Sequence, residues 1–133
     1  MNLFGIASSG MAAATAQLNV SASNVANMGS EGPLTPAGGA PAATPAYQPL
    51  QLVQFGLAGG GVGTQVQPTK QGQQSAYDPS SPFANSDGLV GTPAVDLGQE
   101  MANQMMALTQ FKANVRVLEV GDETTKTLLD MKA

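Results

Sequence analysis

The carboxylates Asp78, Asp87, Asp96 and Glu100 fall within one stretch of the chain. Carboxylates held close together can bind a divalent cation or share acid–base work. Their spacing supports neither role. Asp78 precedes Pro79 and Asp87 precedes Gly88, both turn contexts in which an aspartate bonds its own backbone. Asp96 and Glu100 read as solvated residues at a helix start. Residues 59–63, Gly-Gly-Gly-Val-Gly, invite a phosphate-loop reading. They lack the Lys-Ser/Thr ending of such a loop and open no helix, so a hairpin turn is expected. The chain has no cysteine and no histidine, which removes thiolate chemistry and the commonest general base and metal ligand. The expectation is therefore no catalytic residue, no cofactor, no metal site and no enzyme.

Two other side-chain classes are better placed to act. Of the seven methionines, Met101, Met105 and Met106 lie on or beside an apolar stripe. Core and subunit contact suits them better than soft-metal binding. Asn19, Asn24 and Asn27 cluster near one another. They read either as exposed polar residues with a helix cap at Asn27, or as amides that fix register inside an assembly interface. Spacing alone leaves both open.

The elements that must position these residues are legible from periodicity. Residues 3–28 read as a helix, because Phe4, Ala7, Met11, Ala14, Leu18, Val25 and Met28 recur at three- and four-residue steps with Ser21 the one polar interruption. Gly29, Gly32 and Pro33 end it. Residues 97–132 read as a second helix through Leu97, Met101, Leu108, Phe111, Val115, Leu118 and Leu129. Asp96 with Gln99 resembles a capping box, and Asp122 with Lys126 is a favourable pair. Gly121 either kinks this helix or admits a close neighbour. Between the helices Gly and Pro are concentrated, with Pro33, Pro36, Pro41, Pro45 and Pro49 in a linker. Strand candidates are residues 47–55, 61–66 and 88–92, with residues 59–61 as a hairpin connection. The fold expected is mainly α: N- and C-terminal helices paired as a coiled coil, and a Gly/Pro-rich middle region carrying a small β-hairpin or sheet. The divisions are an N-terminal axial helix over 1–29, the middle region over 30–95 and a C-terminal axial helix over 96–133.

Charge placement indicates what surrounds these helices. Net charge is -4, which argues against nucleic acid. The basic residues are Lys70, Lys112, Arg116, Lys126 and Lys132, and before Lys70 the only charged side chain is Glu31. No apolar run of about 18 residues is present for a membrane span. No Lys or Arg precedes the first apolar stretch, so a cleaved secretory signal is not expected. A helix without a solvating face is normally buried all round, and in a chain of 133 residues that cover must come from other subunits. The expected subunit-interface residues are Met11, Leu18 and Val25 on the first helix, with Asn19, Asn24 and Asn27 added under the second reading of the amides. On the second they are Met101, Met105, Leu108, Phe111, Asn114, Val115 and Leu118.

The segment Leu18-Asn19-Val20-Ser21-Ala22-Ser23-Asn24-Val25-Ala26-Asn27 resembles the N-terminal signature of the flagellar rod and hook axial proteins. Tyr77-Asp78-Pro79, Asn85-Ser86-Asp87-Gly88-Leu89-Val90 and Pro93-Ala94-Val95-Asp96 are similar to the proximal-rod members of that family. So are Glu100-Met101-Ala102-Asn103 and Phe111-Lys112-Ala113-Asn114-Val115. The resemblance implies a structural subunit of the proximal rod, exported without a cleaved signal and assembled in the periplasmic basal body. It implies self-association and contact with other flagellar rod subunits and adjoining ring or export-gate components. The alternative is a soluble two-helix partner-binding module, such as an export chaperone or adaptor.

Overall fold

The computed structural model describes residues 3–34, 45–70 and 72–132. Helix α1 spans Leu3–Asn27 and helix α2 spans Leu97–Asp130. Four strands lie between them: β1 Leu50–Gly56, β2 Val62–Pro68, β3 Gln73–Tyr77 and β4 Leu89–Pro93. They form two separate antiparallel pairs, β1 with β2 and β3 with β4. The expected linker prolines Pro36 and Pro41 lie outside the described residues.

Local chemistry accounts for both helices. The alanine-rich centre of α1 favours helix by propensity, and the chain leaves it through a turn in which Ser30 N–H donates to Asn27 O. At the start of α2 the Asp96 carboxylate accepts the Gln99 backbone N–H at 2.8 Å, satisfying one of the first-turn donors. The expected reciprocal half of the capping box is replaced: the Gln99 amide donates along the helix to Asn103. Asp122 and Lys126 pair at 2.7 Å. Gly121 does not break α2. It is buried, and Leu3 Cδ2 stands 2.9 Å from where its Cβ would be, so it serves as a close-approach point for α1. As one continuous helix, the 34 residues of α2 reach about 51 Å at 1.5 Å per residue.

The helices run antiparallel. Ser21 donates to the Glu100 carbonyl, Gly10 faces Asn114 and Gly121 faces Leu3. On α1 the line of contact keeps Ala7, Ala14 and Ser21 of the expected stripe, while on α2 it shifts to positions beside the expected one. The buried positions are Ala7, Ala13, Ala14, Val20, Ser21 and Asn24 on α1, and Ala107 and Gly121 on α2. Small residues let two backbones approach closely, and larger side chains turn away from the contact. α1 also packs against β1 and β2.

The hairpin connection is where expected. Gly60 and Gly61 have φ of 86° and 96°, backbone that favours glycine. Residues 47–49 precede β1 rather than belonging to it, and the weaker third candidate corresponds to β4. Strand β3, Gln-Gln-Ser-Ala-Tyr, has no apolar alternation and was not expected. It forms because β4 supplies a complete partner, from Gln73 opposite Pro93 to Tyr77 opposite Leu89. Gly32 adds a bridge to Gly91, with backbone bonds of 3.0 and 2.8 Å.

Candidate assembly surface

Packing through small residues leaves the large apolar side chains of α2 outward. Met101, Met105 and Leu108 are 57%, 70% and 51% exposed, and Leu18 of α1 is 42% exposed. These four side chains, with Gln104, line an open groove of about 360 Å³. A second apolar groove of about 190 Å³, lined by Ala14, Thr15, Leu18, Ala107, Leu108 and Phe111, adjoins it through the shared Leu18 and Leu108. One strip therefore runs along the seam between the helices and carries no charged side chain. Contiguous exposed apolar surface is the class of feature that marks interaction sites.

The remaining expected interface residues divide. Met11, Val25, Asn114, Val115 and Leu118 are half-buried, and Asn19 is exposed. Asn114 is held by a bond from its amide to Gln110 O at 2.8 Å. Asn27 is half-buried and donates to Ser23 O at 2.8 Å. Asn24 lies elsewhere than expected. It is 2% exposed and faces the interior of its own chain.

Around Asn24 the chain builds a polar node. Its Nδ2 donates to Leu50 O at 2.8 Å and to Glu100 Oε1 at 2.7 Å. Its Oδ1 accepts Leu50 N–H at 2.8 Å and the Tyr47 hydroxyl at 3.0 Å. All four hydrogen-bonding positions of the amide are thus used. Tyr47 and Ser23 share a further hydroxyl contact at 3.1 Å. Glu100 Oε2 accepts the Asn103 amide at 3.2 Å. Glu100 is therefore half-buried and engaged, contrary to the solvated residue expected from sequence. One signal pointed here: Ser21, the polar interruption in the α1 stripe, is fully buried and donates to Glu100 O at 2.9 Å. Nothing in the spacing linked Tyr47 to Asn24.

The other candidates for chemistry resolve into turns. Asp78 Oδ1 accepts from the Ser80 hydroxyl at 2.6 Å and the Ser80 N–H at 3.0 Å. The Ser80 hydroxyl bond, with backbone bonds beside it, holds the Asp78 carboxyl below its ordinary value. The Asp87 N–H donates to Asn85 Oδ1, which also accepts Leu89 N–H. Gly60 and Gly61 turn against Ile6 and Ser9, within the expected hairpin turn. Among the described residues, no group of three or more carboxylates could hold a metal ion, and no helix is long and apolar enough to cross a membrane.

Comparison with known proteins accounts for both ends of the chain. Residues 4–33 match the family described as "Flagella basal body rod protein". Residues 87–131 match "Flagellar basal body rod FlgEFG protein C-terminal". The flagellar basal-body rod protein FlgC of Salmonella typhimurium is 37% identical, over 96% of this chain and 95% of its own length. That of Yersinia enterocolitica is 36% identical, over 97% and 92%. The Buchnera aphidicola protein of the same name is 32% identical, over 91% and 89%. With relatives matched almost end to end, the chain belongs to the flagellar basal-body rod protein FlgC family, whose members are structural and not enzymes.

Proposed function

We propose that this chain is a structural subunit of the proximal rod in the bacterial flagellar basal body, joined to its neighbours through the outward faces of α1 and α2. The observation that carries this reading is the uncharged groove along the helix seam, where Leu18, Met101, Met105 and Leu108 stand exposed. Helix α1 has no acidic residue in its first turn and no basic residue in its last, and none between. Two uncharged faces can bury one another without desolvating an ion. Copies of the same chain and other rod subunits are the partners that offer such faces, with ring or export-gate components at the end of the stack. In the assembly, the outer stripes of both terminal helices form coiled-coil seams with neighbours, through Met11, Leu18, Asn19, Val25 and Asn27 on α1. On α2 the residues are Met101, Met105, Leu108, Phe111, Val115 and Leu118, with Asn114 turned toward Gly10 of α1 instead. The subunit reaches the periplasmic rod by flagellar export.

The experiment is a strain lacking the gene, complemented with wild type or Leu108→Asp. The expected result is loss of complete rods and of swimming in the deletion, restored by wild type and not by Leu108→Asp. Complete rods and normal swimming in the deletion strain would refute the proposal.

A further inference from the structure

The β1–β2 hairpin is too small to hold its own place, since a two-stranded ribbon is marginal in water. It lies along α1 and is tied down at both ends. Near the turn, Ser9 Oγ accepts Val62 N–H at 3.1 Å and donates to Ile6 O at 2.7 Å. Gly61 permits this approach, because a Cβ there would stand 2.5 Å from Ser9 Oγ. At the base, Asn24 takes both the N–H and the C=O of Leu50. The lengths agree: Ser9 to Asn24 is about 22 Å of helix and Leu50 to Gly56 about 20 Å of strand.

The two ties differ in kind. The one at Ser9 involves α1 and the hairpin alone. The one at Asn24 reaches a third element, because its second amide hydrogen goes to Glu100 Oε1 of α2. That bond joins the two Leu50 bonds in fixing which way round the amide sits. With its ends exchanged, Asn24 would set its NH₂ against Leu50 N–H and its oxygen against the Leu50 carbonyl and the carboxylate, losing the contacts to Leu50 and Glu100. The geometry points to Glu100 as a positioning residue acting through Asn24: docking of α2 orients the amide, and the amide seats β1 on α1. The C-terminal helix thereby fixes a hairpin far from it in sequence. The outward face of that hairpin carries Val53, Phe55 and Leu57, all exposed, so the coupling holds a second apolar face at a set angle to the helix grooves. It operates within one chain and does not rest on the rod assignment.

Amide hydrogen exchange of the full-length chain tests this, comparing wild type with Glu100→Ala and Glu100→Gln. Glu100→Ala is expected to speed exchange across residues 50–56 by about tenfold or more, the cost of one charge-assisted bond. Residues 107–121 of α2 should stay within about twofold. Glu100→Gln keeps an acceptor for Asn24 and should stay within about threefold of wild type. If Glu100→Ala does not fold, Tyr47→Phe reads the coupling from the other side. Linkage is reciprocal, so that variant should speed exchange at residues 101–104 by about threefold. Unchanged β1 exchange in Glu100→Ala would overturn the inference. So would Glu100→Gln exchanging as fast as Glu100→Ala, an unprotected β1 in wild type, or an unmoved α2 in Tyr47→Phe.

Discussion

Asn24 concentrates more structure in one side chain than any other described residue. Its amide answers Leu50 twice, Tyr47 once and Glu100 once. Removing it strands a buried N–H and C=O together, each costing about 1–3 kcal/mol. Asn24→Ala should therefore lower stability by about 3 kcal/mol, read as a shifted midpoint in urea unfolding. A smaller effect belongs to Asp78. Hydrogen bonds from Ser80 lower its pKa, so the bonded turn persists above the ordinary carboxylate range. It opens as pH falls through the lowered value, because protonation removes the acceptor charge. The Ser80 amide resonance, followed by NMR into acid, should move in that range and not near neutrality. Sequence context identified Asp78 as a turn residue, since Pro79 follows it. It could not identify Asn24 as internal, because an amide's partners lie wherever the fold brings carbonyls.

At the scale of elements, the pairing of α1 with α2 turns on two glycines whose replacements have opposite signs. A Cβ at Gly121 crowds the flexible end of Leu3, at 2.9 Å, and meets Phe4 Cζ at an ordinary 3.7 Å. Gly121→Ala should raise stability by about 0.5 kcal/mol, since helix propensity favours Ala by up to about 1 kcal/mol. A Cβ at Gly10 meets Oδ1, Cγ and Nδ2 of Asn114 at 2.5 to 2.7 Å. The whole Asn114 amide must then swing off its bond to Gln110. Gly10→Ala should lower stability by about 1 kcal/mol despite the propensity gain, as overpacking does. Thermal unfolding followed at 222 nm compares the two variants directly.

At the scale of the whole molecule, exposure separates folding from assembly. Leu108 is 51% and Phe111 39% exposed, so a charge at either still reaches solvent in the free subunit. Leu108→Asp and Phe111→Asp should each lower unfolding free energy by only about 1–2 kcal/mol, the loss of partial apolar burial and of helix propensity. Each should nonetheless abolish incorporation into basal bodies, because an ion buried between subunits lacks a partner. Normal incorporation of both variants, scored in purified basal bodies, would show that the outer stripe is not an interface.

The sequence alone determined the two terminal helices, the hairpin turn, the cap at Asp96 and the family. Each of these depends on neighbours within a few residues: three- and four-residue periodicity, paired glycines, an aspartate before an apolar run. The tertiary structure decided the rest. On α2 it chose Ala107 and Gly121 over the larger apolar residues as buried contact positions, because only small side chains let two helix backbones close together. It made a strand of Gln73–Tyr77 by giving it β4 as a partner. It also drew Glu100 out of the expected solvent-facing set and into the node around Asn24. Burial of a polar group is settled by what it can bond across the fold, and that is not written in its spacing.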